Sequence, residues 1–156
     1  MALTDVDCML LALDEARRAL DEGEIPVGCV VARAGELLAS AHNTRESTKD
    51  PTAHAEILAL RSSAKRLQDW RLEGCVLYVT LEPCPMCAAA IGLARVQRVV
   101  FAAYDFDNGA VGSNGNMLTR PIFGYAPEVA SGLLRTDAET VLQQFFERIR
   151  SKRRGG

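Results

Sequence analysis

A chain of 156 residues, 48% hydrophobic and 24% charged, is long enough to bury a core as one domain, 1–156, and no apolar run approaches the roughly 20 residues that span a bilayer. A formal charge of −2 excludes a protein that attracts nucleic acid by bulk charge. Five cysteines, an odd count, exclude a simple disulfide framework, and the acid-bearing start MALTDVDCML has no basic leader, so a reducing, cytoplasmic location is expected.

Val6, Leu10, Leu13, Ala16 and Leu20 keep helical spacing, and Thr4 is placed to cap the helix they predict. DEGEIP ends it. PVGCVVAR and ELLASAHN predict a β-hairpin turning at Ala34-Gly35. TRESTKDPT is a polar loop whose Pro51 suits a helix entry, and helical spacing resumes from Ala53 to about Leu67. CVLYVTL is a nearly continuous apolar run, as expected of a buried central strand. CPMCAAAIGLARV predicts a helix of small residues and RVVFAAY another strand. DFDNGAVGSNGN is a loop, APEVASG holds a short strand, and Thr136-Asp137-Ala138-Glu139 opens a last helix with a capping-box pattern. Helices at both ends of a strand-helix-strand-helix-strand centre predict a three-layer α/β/α sandwich around a mixed sheet. The tail, about 148–156, contains RIRSKRR, which holds five of the 18 basic residues and leaves the rest with 13 against 20 acids, a net of −7. Such a tail either grips phosphates or is a solvated helix end where cations suit the macrodipole.

Cys84-Pro85-Met86-Cys87 lies where a strand runs into a helix. Its i, i+3 spacing puts both sulfurs on one face of the first turn, and a helix N-terminus favours thiolate, the form that binds zinc. A redox pair would want a thioredoxin-like context instead, and a structural zinc site a fourth protein ligand. His54, at the start of the preceding helix, completes a set of three, which with water is the arrangement of a catalytic zinc site. Glu56 is the carboxylate a hydrolytic site needs beside it, although residues i and i+2 of a helix point about 200° apart.

His54-Ala55-Glu56 followed by Pro83-Cys84-Pro85-Met86-Cys87 fits the H-x-E…P-C-x-x-C signature of zinc nucleobase deaminases. With EIPVGCVV, Asn43, DPTAHAEILALR, WRLEGCVLYVTLEPCPMCAAAI, RVVFAAYD, GAVGS and the late FF, the chain resembles bacterial tRNA adenosine deaminases from about residue 5 to 150. The resemblance implies a cytidine deaminase-like fold with one Zn2+ per chain, held by His54, Cys84 and Cys87, and Glu56 as the proton shuttle. It also implies substrate contacts from Asn43, Pro26, Val27, Gly28, Ala55 and Asp105, and a homodimer. The implied partner is the tRNA anticodon arm, whose wobble adenosine is hydrolysed to inosine. Two stretches depart from the family pattern: TRPIFGYAPEV, at 119–129, replaces a basic segment, and Asp107 stands where a lysine is common. Both weaken a phosphate-gripping surface, while Phe123 or Tyr125 could stack on a base or pack in the core. Two other readings stand: a deaminase of a free base or nucleoside such as guanine, cytosine or adenosine, which the departures favour, and a non-catalytic zinc protein, either a structural site or an inactive partner subunit, whose fourth ligand could be His42. The roles of Cys8, Cys29 and Cys75 stay open.

Overall fold

The computed structural model describes residues 1–119 and 124–155. Helix α1 (Asp5–Asp21) begins at Thr4, whose side chain accepts from Asp7 N–H while the Asp7 carboxylate accepts from Thr4 N–H, a reciprocal cap. Strands β1 (Gly28–Arg33) and β2 (Glu36–His42) follow as the expected hairpin. Its two turn residues, Ala34 and Gly35, sit at φ 52° and 78°, the left-handed pair whose twist matches paired strands. A four-residue helix α2 (Arg45–Thr48) interrupts the polar loop. Then come α3 (Ala55–Leu67), β3 (Cys75–Leu81), α4 (Pro85–Leu93) and β4 (Arg98–Ala103). The glycine-rich loop contains a minute hairpin, β5 (Val111–Gly112) and β6 (Gly115–Asn116), and APEVASG supplies β7 (Glu128–Ser131) before α5 (Arg135–Gly155).

The sheet runs β2-β1-β3-β4-β7. β1 is antiparallel to both its neighbours, whereas β3, β4 and β7 are parallel, so the sheet is mixed as expected. Alternate residues feed opposite layers. Cys29, Val31, Leu77, Val79, Val99 and Phe101 face Ala55, Ala59, Ala88 and Ile91 of α3 and α4. Val30, Tyr78, Val100 and Ala102 face Met9, Ala12 and Leu13 of α1 and Ala138 of α5. That is a three-layer sandwich. Gly28 is required by this packing, since a Cβ there would collide with the Ala12 carbonyl of α1. At the outer edge, Leu38 is left unpaired as a bulge in β2, and the Arg66 guanidinium donates to the Leu37 and Leu38 carbonyls at 2.9 and 3.1 Å.

Two helix starts differ from expectation. α3 is entered at His54 rather than through Pro51, which lies in the turn after α2. α5 begins at Arg135, so Thr136 sits inside the helix, with its carbonyl accepting from Thr140, and caps nothing. Cys8, Cys29 and Cys75 are free and buried among core side chains, and burial pushes each thiol up. Among the described residues, no helix is long and apolar enough to cross a membrane.

Candidate metal centre and cavity

Two helices start at the same place. His54 is the N-cap of α3 and Cys84 the N-cap of α4, both with extended backbone, and Cys87 lies one turn into α4. Nδ1 of His54 is 3.6 Å from Sγ of Cys84 and 3.5 Å from Sγ of Cys87. The three donor atoms lie within 4.8 Å of one another. Sulfur at about 2.3 Å and nitrogen at about 2.0–2.1 Å from one tetrahedral zinc are about 3.6 Å apart. The observed separations are therefore edges of a zinc tetrahedron, and these residues fit the ion.

The electrostatics agree with the geometry. The Cys87 thiol, by hydrogen bonding to Cys84, pulls Cys84 down to about 4 against the cost of its burial. That same hydrogen bond, with burial, pushes Cys87 up. His54 is raised by its contact with Cys84. Glu56, only 4% exposed, is pushed up to about 7, first by burial and then by the charge of Cys84. Cys84 gives up its proton while His54, Cys87 and Glu56 around it hold theirs more tightly. A divalent cation would take the place of such protons, which is how metal binding comes to release them.

A cavity of about 620 Å³ opens over the cluster, within the usual range for ligand sites. Of the residues expected at a site, His54, Glu56, Cys84, Asn43, Val27, Ala55 and Asp105 line it, and buried Cys87 lies just beneath. Pro26 and Gly28 do not line it. Ile25 takes the neighbouring place on the wall, and Gly28 serves the packing of α1. Asn43 is held in the loop, donating from Nδ2 to the Ile25 carbonyl at 3.3 Å and accepting from Arg45 N–H at 3.1 Å. Asp105 begins a turn, its carboxylate accepting from the N–H groups of Asp107 and Asn108. His42 does not join the cluster. Its ring bridges Glu15 and Glu22 at 2.7 and 2.9 Å, so it closes no fourth corner of a structural zinc site. Phe123 lies outside the described residues, and Tyr125 is absent from the cavity wall.

Sequence reasoning missed Glu82. Its carboxylate, 2% exposed, accepts from Asp105 N–H, Val111 N–H and the N–H and hydroxyl of Ser113. Burial opposes its charge, but those four donors win and hold its pKa low. It thereby hangs the loop 105–113 on the strand end that carries Cys84. Its position directly before Pro-Cys was the available signal. Ile25, Arg45, Tyr104, Phe106, Leu142 and Phe146 also line the wall and were missed too.

A family model described as the cytidine and deoxycytidylate deaminase zinc-binding region matches residues 3–103. The tRNA-specific adenosine deaminase of Bacillus subtilis (strain 168) is 46% identical over 143 residues, 92% of this chain and 89% of that protein. Among solved structures, one from work on A-to-I editing by tRNA:A34 deaminases at the wobble position superposes with a TM-score of 0.83 and 42% identity. It covers 86% of this chain and 97% of that one. A guanine deaminase from Nitrosomonas europaea superposes with a TM-score of 0.78 at 25% identity, over 93% of this chain and 85% of that one.

Proposed function

Since the chain belongs to the cytidine and deoxycytidylate deaminase zinc-binding family, we propose that it hydrolyses the wobble adenosine of tRNA to inosine, with His54, Cys84 and Cys87 as zinc ligands and Glu56 as proton shuttle. The observation that carries the chemistry is a buried carboxylate, Glu56, on the wall of a cavity that opens over three donors at zinc spacing. The choice of tRNA rests on similarity along nine-tenths of the chain to a tRNA-specific enzyme.

Zinc, when bound, supplies a water acidic enough to act as nucleophile near pH 7. The chain's own groups do the rest. Glu56 is the group that would accept a proton from the attacking water and deliver it to N1 of adenine as the C6–O bond forms. The carboxylate would then take the proton of the new C6 hydroxyl and pass it to the amine on C6, so that C6=O forms as the C6–N bond breaks and ammonia leaves. Burial raises the pKa of the Glu56 carboxyl, the direction that makes it a stronger base for taking up a proton. An amide nitrogen has two N–H groups, so Asn43 can hold the Ile25 carbonyl with one and the base with the other. Ile25, Val27 and Leu81 keep water from the ring.

The functional unit is a homodimer in this reading. α4 reads PMCAAAIGL, with no charge on any side. One side is buried in the core, yet Leu93 is 47% exposed, and Met86 and Ala89 on the same face are half-buried. A helix apolar all round is normally covered all round, and a second copy presenting the same face would cover this one.

The test is ammonia release by the zinc-loaded protein from a tRNA with adenosine at the wobble position, against free adenosine, adenine, guanine and cytosine. Turnover of the tRNA alone is expected. Turnover of a free base without tRNA turnover would keep the zinc chemistry and overturn the substrate.

A further inference from the structure

We infer that Phe106 is a base-stacking residue for a nucleotide that flanks the target adenosine, an inference that rests on the reading of the substrate as a tRNA loop. Phe106 stands on the wall of the cavity that holds Glu56, yet it is 71% exposed. A large apolar ring in a turn otherwise built of Asp, Asn and Gly is an expensive choice in water unless something covers it.

The ring is pre-organised. It lies nearly parallel to Tyr104, with centroids 6.1 Å apart and planes 14° apart. Tyr104 is itself fixed: edge-on to Phe101 at 5.3 Å, hydroxyl-bonded to Ser131 at 2.7 Å, and overlain by the Arg135 guanidinium at 5.3 Å. The backbone around Phe106 is pinned on both sides. Asp105 N–H donates to Glu82, the N–H groups of Asp107 and Asn108 donate to the Asp105 carboxylate, and the Phe106 carbonyl accepts from Asn114 at 2.9 Å. A platform held this way loses little entropy when a ligand lands on it. Phe146, 50% exposed, provides a second ring on the cavity wall from α5.

The charge balance points the same way. Asp107, next to Phe106 and on the same wall, has the wrong sign for a phosphate. Outside the RIRSKRR tail the chain carries 13 basic against 20 acidic residues, and although Arg45 stands on the same cavity wall, a contact beside Asp107 gains little from charge. Aromatic stacking is charge-neutral and accepts any base. A nucleotide in the cavity of a polynucleotide brings its neighbours to the mouth, whereas a free base brings none and would leave Phe106 idle.

The experiment uses zinc-loaded wild type and the variants Phe106→Ala, Phe106→Leu and Phe106→Trp on an anticodon stem-loop with adenosine at the wobble position. 2-Aminopurine is placed at the preceding or the following nucleotide in turn. Wild type and Phe106→Trp should quench the fluorophore at one of the two positions, and Phe106→Ala and Phe106→Leu should not. KM for the stem-loop should rise roughly 5- to 150-fold in the Ala and Leu variants, the range of one base stack, with kcat little changed. An abasic nucleotide at the quenched position should erase that difference. Quenching at neither position, a Leu variant equal to wild type, or an unchanged KM with an altered oligomeric state would overturn the assignment. A wild type that binds and quenches the stem-loop without deaminating it would overturn the proposed activity but leave the stacking contact standing.

Discussion

His54 and Glu56 are two residues apart, and on an unbroken helix they would face away from each other. They share a cavity because His54 is the extended N-cap, outside the helix, while Glu56 is in its first turn. The two residues can therefore be separated by mutation. Glu56→Gln should keep its zinc and lose roughly 10²- to 10⁴-fold in turnover, the usual worth of a general acid–base. Cys87→Ala should lose zinc, and with it the stability that a metal bound only by the folded state provides. Zinc content by atomic absorption beside ammonia release checks both, and zinc loss in Glu56→Gln would make that residue a ligand. The ligands and the carboxylate were legible in the sequence because few residue types do this chemistry and a helix N-terminus favours thiolate. Ile25, Arg45, Phe106 and Phe146 were not, since nothing in their type sets them apart and only tertiary packing brings three loops and the last helix to one cavity.

At the scale of elements, alternation and continuous apolar runs located the main strands, and Ala34-Gly35 located the hairpin turn. What the sequence misled on were helix starts. Pro51 and Thr136 have the right residue type for a helix entry, but the chain takes its entries at His54 and Arg135, where packing of α3 and α5 on the sheet decides. Nor could spacing show that His42, at the end of β2, ties that strand to α1 through Glu15 and Glu22, with Arg18 also on Glu15 at 2.8 Å. Burial works against a charged ring there, but the two carboxylates outweigh it and raise the pKa of His42. A raised folded pKa stabilises the fold fully below the unfolded value of about 6.5, and the contribution disappears as pH climbs through the folded value. The melting temperature of wild type should therefore exceed that of His42→Gln by more at pH 6 than at pH 9. A gap that widens toward pH 9 would contradict the bridge.

Among the described residues, the face of α4 that carries Leu93 and the two edges of the sheet lie at the surface of the molecule. If α4 is covered by a second copy, Leu93→Arg should yield monomers in sedimentation velocity without loss of secondary structure, because a buried interfacial charge with no partner costs several kcal/mol. An unchanged dimer would place the interface elsewhere. The sheet edges offer no rival route. β7 is four residues long and begins with Glu128, while β2 is kinked by its bulge at Leu38, whose carbonyl, with that of Leu37, is already occupied by Arg66. A strand from another molecule thus finds no long straight ladder, and at the β2 bulge it finds two acceptors already taken. Arg66, at the opposite end of α3 from His54, thus guards the edge against pairing with another copy, a role in keeping molecules apart rather than in chemistry.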